Sequence, residues 1–241
     1  MNCVNADLLR VLATLHGLGG DGVVSVRAGE GRRVLHISRG FLDSTESNFR
    51  SERLGDVLAA QGKLDPALIE PVAAEANRRG CLLGTQLLSD RLLTADELVA
   101  ALGRQSLLRF EHALSMAGDV EIDRKAKVQP VLHQPVGGLI VMAFREKLPL
   151  IAVEEFLARR RGEPSHGGLG ADPLGRLELH PAELRICRRL LAGESLQRVR
   201  ARPGGADLAA RMAGALVALE LWPPGRSALG EAPPVTTYTW G

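Results

Sequence analysis

The sequence predicts an α+β fold: a small antiparallel sheet carrying an inserted, duplicated helical segment, followed by a small C-terminal helical, winged-helix-like module. Three observations predict it. Short β-favouring runs stand at Val23 to Val26 and Arg33 to Ile37 around a glycine-bearing turn. A helical pattern beginning at Arg53 recurs 29 residues later at Leu82. Three short amphipathic stretches fill residues 181–222.

Residues 7–16 place Leu8, Val11, Leu12 and Leu15 on one helical face, with Asp7 in the first turn. The glycines from Gly17 to Gly22 end that helix. The two β-favouring runs then read as a hairpin, and the turn at Arg39-Gly40 leads to a third short strand at Phe41 and Leu42. In the repeated segment Gly55 matches Gly84, Leu58 matches Leu87, Leu64 matches Leu93, Asp65 matches Thr94 and Ile69 matches Leu98. Each copy reads as a short helix, a turn and a longer helix. Asp65-Pro66 forms an N-cap with proline at the first helical position, and Thr94 with Glu97 forms a capping box.

Gly55 and Gly84 lack a Cβ, which suits a close approach of two helices. Pro71 is expected to kink or shorten the first long helix. The second long helix carries Val99, Leu102, Phe110 and Leu114 on one face and runs to about Leu114. Val120 and Ile122, with Val128 to Leu132, are expected as strands returning to the sheet. An apolar helix over Gly137 to Glu146 completes the first domain, residues 1–147, with the repeat inserted at 53–105. A helix and a Gly/Pro-rich linker occupy 148–180, the small helical module 181–222 and a tail 223–241.

The 241 residues, 45% of them hydrophobic, supply one or two packed cores, so a disordered chain is not expected. A net charge of +2 gives no general attraction to nucleic acid. No apolar run is long enough for a membrane span, and the opening residues lack a secretory pattern, so a cytoplasmic protein is expected. Cys3, Cys81 and Cys187 are scattered and read as reduced thiols.

No catalytic, cofactor or metal site emerges. Gly17, Gly19 and Gly22 match GxGxxG on paper, but a helix precedes and a strand follows, the reverse of what a dinucleotide site needs. The histidines, His16, His36, His112, His133, His166 and His180, form no paired metal spacing. Residues 157–211 hold eleven arginines against six acids, which raises DNA binding through the C-terminal module as an alternative. Its third helix offers only Arg211 as a basic reader, so nucleic acid is not the expected partner.

The paired RLG and LLG units, with HISRGFLDS before them and GDVEI after, resemble the PATAN (PatA amino-terminal) domain family of bacterial signalling proteins over residues 5–147. The resemblance implies a non-enzymatic adaptor of signalling or motility that binds another protein. On this reading the contact surface is the exposed side of the duplicated helices, with Arg53, Arg78, Arg79, Arg91 and Arg104 as candidates. The repeat is also similar to the amino-terminal domain of pilus-assembly and type II secretion ATPases, some of which bind cyclic di-GMP. That likeness implies an alternative function as a cyclic di-GMP effector. It would assign Arg53, Leu54, Gly55, Leu58 and Gly62 to a first motif and Leu83, Gly84 and Gln105 to a second, with Leu87, Leu98 and Leu102 also fitting the second. Leu82, Ala76 and Arg91 depart from the pattern, standing where it has arginine, glutamine and glycine.

Overall fold

A computed structural model of the chain describes residues 4–124, 133–160, 174–175, 177–203 and 205–222. The chain starts with α1 (Ala6–Leu18), whose N-cap Asn5 accepts a hydrogen bond from the Leu8 amide and whose C-cap Gly19 is left-handed. Three strands follow: β1 (Gly22–Ala28), β2 (Gly31–Ser38) and β3 (Phe41–Ser47). The β2–β3 turn needs positive φ at both central residues, which Arg39 (51°) and Gly40 (77°) supply. The third strand is seven residues long, beyond the two expected, because Asp43 and Thr45 are buried polar residues that an apolar pattern does not reveal.

The duplicated segment supplies α2 (Leu54–Ala60), α3 (Pro66–Arg79), α4 (Leu83–Ser89) and α5 (Ala95–Leu114). It is inserted between β3 and the returning β4 (Asp119–Asp123), which pairs antiparallel with β1. A two-residue β5 (Gln134–Pro135) pairs with β3, giving the order β4-β1-β2-β3-β5. The strand expected at Val128 to Leu132 lies outside the described residues, as do the linker over 162–173 and the tail from Pro223.

Pro71 does not shorten α3. The helix runs through it to Arg79, and Pro71 and Ala67, whose carbonyl loses its partner, are both exposed where water can replace the missing bond. Val99 does not face inward as expected. It is exposed, because the buried face of α5 is built from Ala101, Gln105, Ser106, Phe110, Ala113 and Leu114, and its two polar members shift the apparent stripe.

Beyond β5 come α6 (Val136–Met142), continued by a π turn (Ala143–Lys147), then α7 (Leu150–Arg159), α8 (Pro181–Leu191), α9 (Leu196–Arg200) and α10 (Ala206–Ala218). The three expected C-terminal helices are present, and among the described residues no strand accompanies them. Their apolar side chains, among them Cys187, Leu190, Met212 and Leu216, share one buried cluster with Leu8, Leu35 and Leu42 of α1 and the sheet. Arg145 of the π turn grips Glu183 of α8 through two bonds of 2.5 and 2.7 Å, fastening the parts further. No helix among the described residues is long and apolar enough to cross a membrane.

Candidate functional site

The insert has its own small core, and that core is built from repeat-related pairs. Leu58 and Leu87, Leu64 and Leu93, and Val72 and Ala101 are its buried members, each pair 29 residues apart. Leu54 with Leu83 and Ile69 with Leu98 pack around them. A Cβ at Gly55 would lie 2.7 Å from Ile69 Cγ2 and 3.6 Å from Leu83 Cδ2, and one at Gly84 would lie 3.1 Å from Leu98 Cδ1 and 3.7 Å from Leu54 Cδ2. The contacts exchange between copies. The two units therefore meet across a local pseudo-twofold relation, with a glycine at each equivalent crossing.

Where the chain leaves the sheet, a buried polar junction holds the insert in place. Glu52, fully buried, receives Arg33 Nε at 3.0 Å and Nη2 at 2.5 Å, while His112 Nδ1 lies 2.6 Å from the same carboxylate oxygen. Burial alone would push the Glu52 carboxyl up, and the hydrogen bonds from Arg33, Ser47 and His112 outweigh it, holding the group below its usual range. The backbone carbonyl of Glu52 accepts from Gln105 Nε2 (2.7 Å) and Arg109 Nη2 (2.9 Å). Arg33 also stacks on Phe49, 4.0 Å from the ring centre.

Of the arginine candidates for protein contact, Arg53, Arg91 and Arg104 are exposed, and Arg78 and Arg79 both pair with Glu75. Arg91 takes a left-handed backbone (φ 56°) at the position where the first copy has Gly62 (φ 66°). Leu54, Gly55, Leu58, Leu83 and Gly84, named by the nucleotide alternative, belong to the helix crossings and the small core. Of that set's two polar side chains, Arg53 is open to solvent and Gln105 is turned inward onto Glu52. In the C-terminal helices, α10 is enclosed along most of its length, and Arg211 donates to the carbonyls of Phe144 and Leu148 at 2.8 Å each. The helix that a DNA reading would place in a groove is thus the central one of its group.

A second polar corner was not legible in the sequence. The β2–β3 ladder pairs Ile37 with Leu42 and His36 with Ser44, so Asp43 is the extra residue of a β-bulge. The bulge turns its carboxylate inward to complete burial, and neither oxygen has a hydrogen-bond partner. His133, ahead of β5, stacks flat on Phe41 at 4.0 Å and brings Nδ1 to 3.5 Å from Asp43 Oδ1. The adjoining Gln134 Oε1 is also buried without a partner. Beside this corner opens a cleft of about 330 Å³, lined in part by His133, Gln134, Met142, Arg145 and Glu178. His133 (φ 60°) and Glu178 (φ 51°) both hold left-handed backbones there. Among the described residues no three His, Cys, Asp or Glu side chains gather as a metal site. Cys187 is buried, and burial pushes its thiol up to about 12, which makes it inert as a nucleophile at neutral pH.

No family model, curated protein or solved structure matches the chain.

Proposed function

We propose that this chain is a non-enzymatic adaptor of bacterial signalling or motility, acting in the cytoplasm by binding another protein through the second copy of its repeat. One observation carries the reading. The insert exposes four large apolar side chains, Leu68, Leu82, Leu92 and Val99, and each stands where the other copy has a charged residue: Glu97, Arg53, Lys63 and Glu70.

Two of the four stand at the places of an ion pair. Lys63 and Glu97 form an ion pair of 3.1 Å, and the repeat relation makes Leu92 and Leu68 the apolar equivalent of that pair. Leu82 and Val99 are the most exposed of the four, at 80% and 63%. They flank the crossing of α4 and α5, where Gly84 meets Leu98. In the first copy Arg50 pairs with Glu70; the second copy has Arg79 and Val99 at those places. An apolar spot of this kind, whose bordering Arg79 is already paired with Glu75, suits a partner segment that offers apolar side chains.

The test restores the first copy's chemistry with Leu82→Arg and Val99→Glu. These are the residue types that the fold already carries at the equivalent positions, so thermal stability is expected to stay within about 0.5 kcal/mol. Capture of the partner from native extract is expected to be lost in the double variant and kept in an Ile151→Glu control, whose site on α7 is exposed and outside the repeat. Equal capture by all three proteins would refute the assignment.

A further inference from the structure

The corner formed by Asp43 and His133 lies outside the adaptor surface and does not depend on it. Burying a carboxylate with no hydrogen bond is costly, and such a group calls for a counter-charge or a ligand. The ionisable group that faces it is the imidazole of His133, whose Nδ1 lies 3.5 Å from Asp43 Oδ1. That separation is too long for a nitrogen–oxygen hydrogen bond, which runs about 2.7–3.2 Å. It matches something else. Two donors each about 2.1 Å from a tetrahedral metal stand about 3.4 Å apart.

We propose that Asp43 and His133 form a site for a divalent transition-metal ion of the zinc class. Asp43 Oδ1 and His133 Nδ1 are its two charged or imidazole ligands, and Gln134 Oε1, the neighbouring orphan acceptor, is the third donor. The remaining position belongs to water from the adjoining cleft. The nitrogen and oxygen set suits Zn²⁺ or Co²⁺ over the harder Ca²⁺ and Mg²⁺. Several features of the corner serve this geometry. The bulge aims Asp43 inward, Phe41 fixes the imidazole plane by stacking, and the left-handed backbone of His133 turns its ring toward β3. With fewer protein ligands than a closed structural zinc site, binding in the micromolar range is expected. The ion would fasten the two-residue β5 to β3.

The test titrates chelator-treated full-length protein with Zn²⁺ by calorimetry and with Co²⁺ by visible absorption. One equivalent is expected, with the intense ligand-field bands of tetrahedral Co²⁺. Asp43→Asn and His133→Ala should each weaken binding at least about tenfold. His36→Ala serves as the control, because His36 of β2 and Glu46 of β3 form a separate pair at 2.9 Å. Metal-free Asp43→Asn should be no less stable than the parent, since it keeps the volume and replaces a buried carboxyl group that no donor satisfies, whereas a plain ion pair would lose stability. Paramagnetic broadening by Co²⁺ in the unaltered protein should centre on residues 41–43 and 133–135, a readout that needs no variant. No saturable binding at millimolar metal, broadening centred elsewhere, or affinity lost only in His36→Ala, meaning an adventitious ion only, would each overturn the site.

Discussion

Replacing Glu52 by glutamine tests how the insert is held to the sheet. The carboxylate is fully buried and takes two donors from Arg33, itself 7% exposed, and one ring nitrogen from His112. Glutamine keeps the volume and one acceptor oxygen, but turns an amide donor toward a guanidinium that has only donors to offer. Removing one partner of a buried ion pair costs about 3–5 kcal/mol. With a urea slope of about 2 kcal/mol/M, the midpoint should fall by about 1.5–2.5 M. The cost must also depend on pH. Because the folded Glu52 carboxyl titrates below its ordinary value of 4.5, its stabilisation is fully present above that value. It is lost as pH falls through the lower folded value, so the gap between parent and variant should close there. Urea unfolding followed by circular dichroism at neutral pH and at several acidic pH values reads both effects. A cost below about 1 kcal/mol at neutral pH, or one that does not shrink in acid, would refute the role given to this junction.

Two further outcomes follow from the repeat. Gly55→Ala should destabilise by about 1–3 kcal/mol because its Cβ would press on Ile69 at 2.7 Å, and Gly84→Ala should cost less because Leu98 stands at 3.1 Å. Thermal unfolding of the two variants ranks them, and the reverse order would contradict the crossing geometry. Arg91→Gly should stabilise by about 1 kcal/mol, because it relieves a left-handed arginine where the first copy already has Gly62. An unchanged or lower melting temperature would show that the arginine side chain compensates its backbone.

What the residues revealed in advance is what chain-local physics governs. The hairpins followed from short β-favouring runs around a glycine-bearing turn and from the turn at Arg39-Gly40, and the repeat followed from matched glycines, leucines and N-caps. The inserted position of the helices was legible because Val120 and Ile122 return as β4 against β1. The phase of α5 was not, since Gln105 and Ser106 are buried through polar bonds to Glu52 and Thr45. The Asp43–His133 corner was equally hidden. Its two members are far apart in sequence and meet only because β5 pairs with β3 beside a bulge that no periodicity announces. The exposed leucine and valine of the second copy were visible as letters, but their meaning required knowing which face of each helix is covered.

The outer strands of the sheet carry a further meaning. On one margin β4 alternates Asp119, Glu121 and Asp123, and on the other β5 ends after two residues with Pro135, which has no amide hydrogen to offer. Among the described residues, a neighbouring molecule seeking to lengthen the ribbon meets a run of carboxylates at the first margin, with Glu121 held 3.7 Å from Arg27, and a missing donor at the second. Crowding many copies together should therefore leave the sheets separate rather than stitched into fibrils.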